Sequence, residues 1–509
     1  MQQQMKNRTE VENNKLETNK VLLIFASEKN SAPRFPLALL ALGAYLKKHK
    51  FEPEILDMQK EDSDYRNVNF NDYICIGISS MTGQPLKKAL EVAKYIKERS
   101  SVPLVWGGPH ASFFPEQTIK NRYVDIVVKK EAEESLLDIV RTLKAGRSLK
   151  DVKGITYKEN GVVITNPERS TFIDPSELET GYELVDVNDY VEDTGGTFSY
   201  ETSRGCPYRC DFCYVSFYHR LTWRGKSSEK VLSDLKNIVE RYNPQHIKFV
   251  EDNFFVGRER NIKILKGIIK NGWKFSWDSA CRADYLCSFT DEEMKLLKDS
   301  GCAYLSIGGE SGSDITLAKM HKENTVDEVR EAVKKCVKFG IMPVLSFMVG
   351  LPDETKREMH KTLDFIDEIM SYGNKVEVNV VGIYYPYPGT TLYRKAIDFG
   401  FKPANSLEEW SEWDGSFNRN NPWLKNGYDK ELEALSTIAR FRYFIHRLNF
   451  YSKKYKKTRL GSLQNRILYK VFVPLFNLSA NFRWKHRLFK YSYEWDLYNL
   501  VRNYKFKQL

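Results

Sequence analysis

Apolar runs and amphipathic stretches alternate along the first 150 residues of the chain. Buried strands are predicted for KVLLIFAS, EPEILDM, DYICIGISS, VPLVWGG and VDIVVKK, and amphipathic helices for LALLALGAYLKKH, LKKALEVAKYIKER and EESLLDIVRTLKAG. Strands that alternate with helices in this way predict an α/β fold with a doubly wound, Rossmann-like parallel sheet, assigned to residues 20–148. Such sheets bind ligands beyond the carboxyl ends of their strands.

A second series of strands begins near residue 196. The candidates are TFSYETSRG, HIKFVED, FSWDSAC, CAYLSIGGES, MPVLSFMVGLP and VEVNVVGIYYP, with helical patterns between them. Six repeats of strand and helix predict a partial (β/α)6 barrel of the TIM type over residues 196–398, an open version of the barrel that closes at eight repeats.

The remaining segments differ in character. Residues 1–19 are polar and are predicted to be disordered. Residues 149–195 are predicted to form a linker that contains a hairpin around Asn160-Gly161, followed by an irregular stretch. Residues 399–509 are predicted to be a mostly helical, basic and aromatic extension.

Composition narrows the class of protein. Hydrophobic residues make up 42% of the chain and charged residues 28%, which is typical of a globular protein. No apolar run approaches the roughly 20 residues that span a bilayer, and the amino-terminal residues lack the apolar core of a secretion signal. We therefore expect a cytoplasmic location. Eight cysteines are too few for a disulfide scaffold of this length and suit a reducing compartment.

Three cysteines stand close together in RGCPYRCDFCYV, at positions 206, 210 and 213. Thiolates suit iron-sulfur clusters and zinc, and short spacings let one loop wrap several of them around one centre. A structural zinc ion would require four protein ligands. Three ligands on a cluster of four irons leave one iron open for another molecule. The other cysteines near this region lie singly, in strand or helix contexts typical of buried thiols: Cys281, Cys287, Cys302 and Cys336.

The segment SRGCPYRCDFCYV resembles the CxxxCxxC signature of radical S-adenosylmethionine (SAM) enzymes, with Phe212 before the third cysteine as that pattern requires. The resemblance implies a [4Fe-4S] cluster held by Cys206, Cys210 and Cys213, with SAM chelating the fourth iron. It also implies that an electron from a donor such as flavodoxin or ferredoxin leads to cleavage of SAM and to a radical that removes hydrogen from substrate. A zinc site or a chance cluster of thiols is the alternative.

Further motifs resemble the same family over residues 195–395. VEDNFF would supply acceptors for the SAM ammonium, and SIGGESGSD, with Gly308, would supply polar contacts to SAM. FMVGLPDET and YYPYPGTTLY resemble two more hallmarks, the second covering adenine or shaping the substrate opening. Each motif taken alone is also compatible with an ordinary turn or loop. The SAM-binding residues that the resemblance implies are Phe212, Tyr214, Glu251, Asp252, Asn253, Gly309, Glu310, Ser311 and Gly350.

The amino-terminal segments RFPLALLALGAYLKKHKFEPEILDM, ICIGISSMTG and LVWGGPHASFFPE resemble the cobalamin-binding domain that precedes the barrel in one large class of radical SAM proteins. The alternative is a flavodoxin-like domain without a cofactor. Two departures matter: ASEKNSAPR replaces the DxHxxG motif that supplies a histidine to cobalt, and VKKEAEES replaces a GEGE-like segment. The residues implied for cobalamin are Ser79, Ser80, Gly107, Gly108 and His110.

The resemblance implies a cobalamin-dependent radical SAM enzyme that methylates an unactivated carbon. In that scheme one SAM supplies the methyl group to cobalamin and a second SAM supplies the radical. Cyclisation, oxidation or rearrangement without methyl transfer is the alternative within the class, and a non-catalytic or sensory corrinoid protein is the alternative outside it. No catalytic acid or base is nominated, although Tyr384, Tyr385 and Tyr387 are candidates to face the cavity.

The net charge of +11 is concentrated near the carboxyl end. Residues 441–509 contain sixteen Lys or Arg against two acidic residues, and these cations alternate with aromatic residues. This composition fits a helix on anionic lipid headgroups at the inner face of the membrane, a tRNA-binding surface, or a helical cap packed on the barrel. The lipid interpretation makes an isoprenoid or other lipid substrate a hypothesis besides other small molecules. No nucleic acid partner is expected, because no appended small β-barrel of the kind found in tRNA-modifying relatives is recognised.

Overall fold

In a computed structural model of the protein, the described residues are 17–29, 33–60, 62–413, 421–425, 428–454, 473–491 and 493. They form two compact units. The first contains the described residues up to Thr194, Arg224–Lys226 and the segment from Pro403 to Trp413, and the second contains the others.

The first unit is built on a seven-stranded sheet in the order β2-β1-β3-β4-β5-β6-β7. Its first five strands are parallel, which is the doubly wound order predicted from the alternation of strands and helices. The strands are β1 (Lys20–Phe25), β2 (Glu52–Asp57), β3 (Ile76–Ser79), β4 (Leu104–Gly107), β5 (Ile126–Val128), β6 (Ile155–Glu159) and β7 (Val162–Thr165). The helices are α1 (Leu37–Lys48), α2 (Gln84–Lys97), α3 (Pro109–Phe113), α4 (Pro115–Lys120), α5 (Glu133–Lys144) and α6 (Val187–Asp193).

The hairpin predicted around Asn160-Gly161 is present, but it is part of this sheet. Strand β6 pairs antiparallel with β5, and β7 pairs antiparallel with β6. Ile155 and Tyr157 of β6 are almost completely buried in the same core as the parallel strands. Burial of these apolar side chains therefore makes the first part of the predicted linker an edge of the first unit.

The second unit is built on a six-stranded parallel sheet in the order β15-β14-β13-β12-β11-β8. The two end strands β8 and β15 do not pair with each other, so the sheet is the open, six-repeat form of the barrel that the sequence predicts. The strands of this region are β8 (Thr197–Tyr200), β9 (Ser203–Gly205), β10 (Trp223–Gly225), β11 (His246–Phe249), β12 (Ser276–Cys281), β13 (Cys302–Glu310), β14 (Met342–Val349) and β15 (Glu377–Ile383).

Helices connect these strands and cover one face of the sheet. Three of them begin with a capping box, in which a Thr at the N-cap and a Glu three residues later satisfy each other's backbone N–H groups: Thr290/Glu293, Thr325/Glu328 and Thr355/Glu358. The helices are α7 (Val215–Tyr218), α8 (Ser228–Tyr242), α9 (Arg258–Lys270), α10 (Ala283–Ser288), α11 (Asp291–Asp299), α12 (Asp314–Lys319), α13 (Val326–Lys338), α14 (Lys356–Met370) and α15 (Thr391–Asp398).

The predicted carboxyl-terminal extension contains three described helices, α16 (Leu407–Ser411), α17 (Tyr428–Lys454) and α18 (Val473–Lys485). Helix α16 belongs to the first unit, and α17 and α18 belong to the second. The parts of the chain outside the described residues include the amino-terminal tail up to residue 16, residues 455–472 and the end of the chain from residue 494. Residues 455–472 include most of KKYKKTRL and the first half of ILYKVFVPLFNL. No described helix combines the length and apolar composition that crossing a bilayer requires.

A tight backbone turn precedes the first clustered cysteine. Gly205 has φ +86°, a conformation that side-chain-bearing residues rarely adopt, and an added Cβ would collide with the carbonyl oxygen of Thr222 and lie 3.0 Å from Cβ of His219. Only glycine therefore fits at the point where β9 delivers the chain to Cys206.

We expect Gly205→Ala to destabilise the second unit by more than the about 1–2 kcal/mol that a left-handed backbone costs an L-residue, because the collision with Thr222 adds to that cost. Chemical denaturation of the full chain measures this. Gly272→Ala is the matched control, since Gly272 has φ +66° with open space around it. Equal losses in the two variants would contradict a steric requirement at Gly205.

Candidate functional site

The segment after β11 fastens the cysteine loop. The carboxylate of Asp252 accepts a hydrogen bond from the backbone N–H of Gly205 at 3.0 Å. The side-chain amide of Asn253 donates to Sγ of Cys206 at 3.7 Å, and its backbone carbonyl accepts from the indole N–H of Trp223 at 3.1 Å. The other amide atom of Asn253, Oδ1, is buried without a partner among the described residues. The strand end therefore orients the loop and leaves one polar atom unused beside it.

Glu251 acts on the same loop one step earlier. Its carboxylate accepts hydrogen bonds from the backbone N–H of Thr202 at 3.0 Å and from the hydroxyls of Thr202 and Ser203. Burial raises the pKa of Glu251 to about 7, and the guanidinium of Arg260 and these hydroxyls oppose the rise. Both carboxylate oxygens of Glu251 therefore accept hydrogen bonds from the turn at Thr202 and Ser203. That Glu251 also receives the SAM ammonium stays a prediction from the family resemblance.

Two cationic side chains lie beside the cysteines. Nη1 of Arg282 lies 3.7 Å from Sγ of Cys210, and the same guanidinium donates to the backbone carbonyl of Lys322 at 2.9 Å. The ammonium of Lys322 lies 5.7 Å from the ring centroid of Phe212. Burial raises the pKa of Cys210, while the charges of Lys322 and Arg282 lower it. The sequence reasoning missed both cations, because neither lies in a recognisable motif.

The thiols fit a shared iron-sulfur cluster by their chemistry. They belong to one loop and interact electrostatically with one another, and burial raises the pKa of Cys213 to about 12. No group of three His, Cys, Asp or Glu side chains among the described residues could hold a single metal ion. Thiolates around a cluster bind different irons, so they do not need to converge on one point. The N–H groups that Asn253 and Arg282 direct at the sulfur atoms of Cys206 and Cys210 suit the negative charge of metal-bound thiolates.

The loop is also tied to the end of α12 and the start of α15. The backbone N–H of Asp211 donates to the carbonyl of Met320 at 2.9 Å, and its carboxylate pairs with Nδ1 of His321 at 2.7 Å. The carbonyl of Asp211 accepts from the N–H of Leu392 at 2.8 Å. The ring centroids of Tyr214 and Tyr387 are 5.4 Å apart, so the cysteine loop and the PYPGTT segment are neighbours.

The GGES segment ends β13 with an irregular backbone. The register with β14 shifts between Gly308 and Glu310, and Glu310 has φ +58°. The carboxylate of Glu310 pairs with the ammonium of Lys322 at 3.2 Å, directly over Gly308, where an added Cβ would lie 2.8 Å from that ammonium. Glu310 is thus linked to the cysteine site through Lys322. An added Cβ on Gly309 would lie 2.9 Å from the ring of Phe347.

Two other predicted SAM contacts are enclosed by protein. Ser311 is completely buried, and its hydroxyl bonds with that of Thr362 at 3.0 Å. The N–H of Gly350 donates to the carboxylate of Glu354 at 2.5 Å, and its carbonyl accepts from the indole of Trp423 at 2.9 Å. These contacts give Ser311 and Gly350 structural roles at the ends of β13 and β14.

Three polar residues lie in register across β8, β11 and β12 on the face of the second sheet opposite α8. Phe198 stacks on Tyr242 of α8, which places Ser199 on the other face by strand alternation. Lys248 is paired in register with Ser199 and Asp278, and it is exposed. Asp278 accepts a hydrogen bond from His246 at 2.7 Å, whereas the ammonium of Lys248 has no hydrogen bond or ion pair to a described residue. This face, here called the inner face, therefore carries an exposed ammonium that has no ionic partner among the described residues and could bind an anionic group of a substrate.

In the first unit, four of the residues implied for cobalamin meet at the carboxyl edge of the sheet. Ser79 of β3 is paired in register with Gly107 of β4. Both the backbone N–H and the hydroxyl of Ser80 donate to the carbonyl of Gly107, at 2.8 and 2.9 Å. An added Cβ on Gly107 would meet nothing within 4 Å, whereas one on Gly108, with φ +96°, would lie 2.7 Å from the carbonyl oxygen of Ser80. The backbone at Gly107 is therefore open at this edge of the sheet.

His110 has a different environment from those four. It is completely buried, its Nδ1 lies 2.9 Å from the hydroxyl of Thr82, and its ring is 5.8 Å from that of Trp410 in α16. Burial lowers the pKa of His110 to about 4, so the imidazole is neutral. Packing between Phe114 and Trp410 makes His110 part of the interior beside the edge rather than a group presented at it.

The segment that replaces the GEGE-like motif keeps an unusual backbone. Lys130 has φ +64°, the conformation in which glycine is favoured. Its N–H donates to the hydroxyl of Ser112 at 2.8 Å and its ammonium pairs with Glu168 at 3.0 Å. The turn is therefore held by hydrogen bonds in place of glycine, while its side chain remains beside the edge.

Each of the two units contains a segment that matches a known protein family. The B12 binding domain family matches residues 33–140, and the radical SAM superfamily matches residues 200–366. An uncharacterized methyltransferase of Pyrococcus horikoshii is 31% identical over 408 residues, which is 77% of this chain and 85% of that protein. The anaerobic magnesium-protoporphyrin IX monomethyl ester cyclase of Cereibacter sphaeroides is 24% identical over 62% of this chain, which spans about half of the cyclase (51%).

Among solved structures, the fold is similar to TsrM from Kitasatospora setae, a radical SAM methyltransferase determined with cobalamin and a [4Fe-4S] cluster bound. The TM-score is 0.64 at 18% identity, over 77% of this chain and 81% of TsrM. The two family matches, the similarity to the Pyrococcus horikoshii protein and the fold are consistent with the cysteine loop in the second unit. They are also consistent with the glycine-lined sheet edge in the first unit. The chain therefore belongs to the radical SAM enzymes that carry a B12-binding domain, whose cofactors are a [4Fe-4S] cluster, SAM and cobalamin.

Proposed function

We propose that this enzyme methylates an unactivated carbon of a biosynthetic intermediate, with its cluster on Cys206, Cys210 and Cys213. The observation that carries the proposal is the cysteine loop, which is oriented by Asp252 and Asn253 and flanked by Arg282. A bound cluster and SAM supply a radical that removes hydrogen, and cobalamin supplies the methyl group. The similarity to a methyltransferase over most of both chains supports methyl transfer.

The residues of this chain prepare the site in distinct ways. Asn253 and Arg282 donate toward the sulfur atoms of Cys206 and Cys210, which stabilises thiolate ligands. Glu251 and Asp252 position the loop and do not contact SAM in this proposal. SAM is assigned to the neighbouring surface formed by Phe212, Tyr214, Asn253, Gly309 and Glu310.

Cobalamin is assigned to the edge formed by Ser79, Ser80, Gly107 and Gly108. The open space over Gly107 supports close approach of the cofactor to the backbone. His110 supports this edge from its buried position and does not ligate cobalt in this proposal, because Thr82 and two aromatic rings surround it.

The substrate is proposed to be a small molecule with an anionic group. The inner face of the second sheet carries the exposed ammonium of Lys248 next to Ser199 and Asp278. A purely hydrocarbon substrate would desolvate this charge without a partner, which is costly. A lipid substrate fits only if it carries a carboxylate, phosphate or similar group.

The electron for SAM cleavage is proposed to come from a small redox protein such as flavodoxin or ferredoxin, because no described residue supplies a reductant. Cyclisation without methyl transfer is the second candidate, and the similarity to the cyclase supports it. A corrinoid-binding protein without catalysis is the candidate that the first experiment below also tests.

The holoenzyme should cleave SAM, and Cys206→Ala should abolish both cleavage and iron binding because one cluster ligand is lost. Anaerobic reconstitution, iron analysis and measurement of 5′-deoxyadenosine test this. Cys287→Ala is the control, since Cys287 bonds to the carbonyl of Glu328 away from the loop. In cells given methyl-labelled methionine, a labelled metabolite should depend on Cys206. SAM cleavage without such a metabolite would favour cyclisation, and no cleavage would favour the non-catalytic protein.

Glu251→Gln should lower the iron content and the stability of the unit, by about 2 kcal/mol for lost charge-assisted hydrogen bonds. The reason is that the amide cannot accept from Thr202 and Ser203 with both of its ends. Iron content and thermal unfolding measure the effect, with the exposed Glu229→Gln as control. A variant with a full cluster but weaker SAM binding would instead support direct contact between Glu251 and SAM.

Lys248→Met should remove most of the labelled product while leaving iron content and substrate-independent SAM cleavage unchanged, because the substrate loses its ionic partner. Lys248→Arg should restore part of the product. Product levels in cells and 5′-deoxyadenosine formation by the purified holoenzyme are the measurements. Unchanged product with Lys248→Met would refute an anionic contact at this position.

A further inference from the structure

Helix α18 is fixed to the second unit by a polar and aromatic face. Ala480 and Trp484 are completely buried and Arg483 is 5% exposed. The indole N–H of Trp484 donates to the carboxylate of Asp367 in α14 at 2.8 Å, and Arg487 pairs with the same carboxylate at 3.1 Å. These contacts determine which side of the helix faces the unit.

The opposite side of α18 presents large apolar residues to solvent. Leu478 is 68% exposed and Phe482, one helical turn later, is 59% exposed. An amphipathic helix in contact with water alone would have the reverse arrangement, with such residues against the protein. The exposed pair is therefore a feature that folding of the second unit does not explain.

The residues after the helix enlarge this surface. Leu488 is 49% exposed, Tyr491 is 64% exposed and Tyr493 is 51% exposed. Tyr493 folds back on the helix, since its hydroxyl lies 3.2 Å from that of Ser479 and its ring lies 4.5 Å from the guanidinium of Arg483. The apolar surface, here called the α18 patch, consists of Leu478, Phe482, Leu488, Tyr491 and Tyr493.

The charge around the α18 patch selects the partner. Lys485 and Lys490 are exposed within the same stretch, and residues 441–509 carry sixteen Lys or Arg against two acidic residues. The partner must therefore accept aliphatic and aromatic side chains and also be anionic. An anionic membrane surface has both properties, because acyl chains lie directly beneath charged headgroups and tyrosines favour that interface. Nucleic acid satisfies the charge but offers no apolar layer for Leu478 and Leu488.

We propose that the α18 patch docks this enzyme peripherally on membranes that contain anionic lipids. The apolar side chains enter the headgroup region, and the exposed Lys485 and Lys490 contact the lipid phosphates. The helix lies on the membrane and does not cross it. This inference rests on the α18 patch and the cations near it, and it stands independently of the reaction that the enzyme catalyses.

Co-sedimentation of the full-length holoenzyme with vesicles tests the proposal. Vesicles of phosphatidylcholine with phosphatidylglycerol should bind the enzyme, and pure phosphatidylcholine should bind it far less. The neutral double variant L478S/F482S should weaken binding by about tenfold or more, because two large apolar side chains no longer enter the lipid. Raised salt should weaken binding of the wild type as well.

The matched control is I269S/I315S, which removes two exposed apolar residues elsewhere on the second unit (42% and 55% exposed) and should bind like the wild type. Iron content and SAM cleavage of both double variants report whether the enzyme remains folded. Equal binding of both double variants, or wild-type binding to the mixed vesicles no stronger than to pure phosphatidylcholine, would overturn the proposal. Tight binding of single-stranded RNA that competes with vesicles and depends on Phe482 would also overturn it, in favour of stacking on bases.

Discussion

The site depends on hydrogen bonds that join an irregular loop to the rigid end of β11. A loop of eight residues that carries three thiols has no repeating backbone bonds of its own, so its shape must come from its neighbours. Asp252 holds the N–H of Gly205, Glu251 holds the turn at Thr202, and Asn253 reaches Cys206. Because these groups come from one strand end, the position of the first cysteine is tied to the sheet itself. The glycine at 205 is the steric counterpart of this arrangement.

Besides these hydrogen bonds, nearby charged side chains influence the protonation of the cysteine thiols. Burial raises the pKa of Cys210 and Cys213, which favours neutral thiols. Arg282 and Lys322 lie where thiolates would need compensation. The fold thus fixes cations and N–H donors next to the cysteines, and these groups would stabilise the thiolates that bind a cluster. The carboxylate of Glu310 forms an ion pair with the ammonium of Lys322, so this buried positive charge has a partner within the protein.

Local patterns were sufficient to predict the two sheets, because strand alternation and helix periodicity are local properties. The grouping of Cys206, Cys210 and Cys213 in one loop followed from their spacing, and their assignment to an iron-sulfur cluster came from the resemblance to radical SAM enzymes. The orientation of Glu251 did not, because a carboxylate at the end of a strand is equally compatible with a ligand and with a neighbouring turn. Ser311 and Gly350 belonged to the right motifs, yet their contacts with Thr362 and Trp423 come from distant parts of the chain. Arg282, Lys322 and the pairing of β6 with β5 likewise depend on long-range contacts that have no local signal.

The first unit is discontinuous along the chain, since the segment from Pro403 to Trp413 completes it. Trp410 of that segment packs on His110 and stacks with Phe114 at 5.3 Å, and it is completely buried itself. Chains emerge from the ribosome in one direction, and domains commonly fold as they emerge. This unit cannot follow that course to its end, because Trp410 is translated only after all six strands of the second sheet. During synthesis, the apolar surface around Phe114 therefore stays exposed until about three hundred further residues, up to Trp410, have been translated.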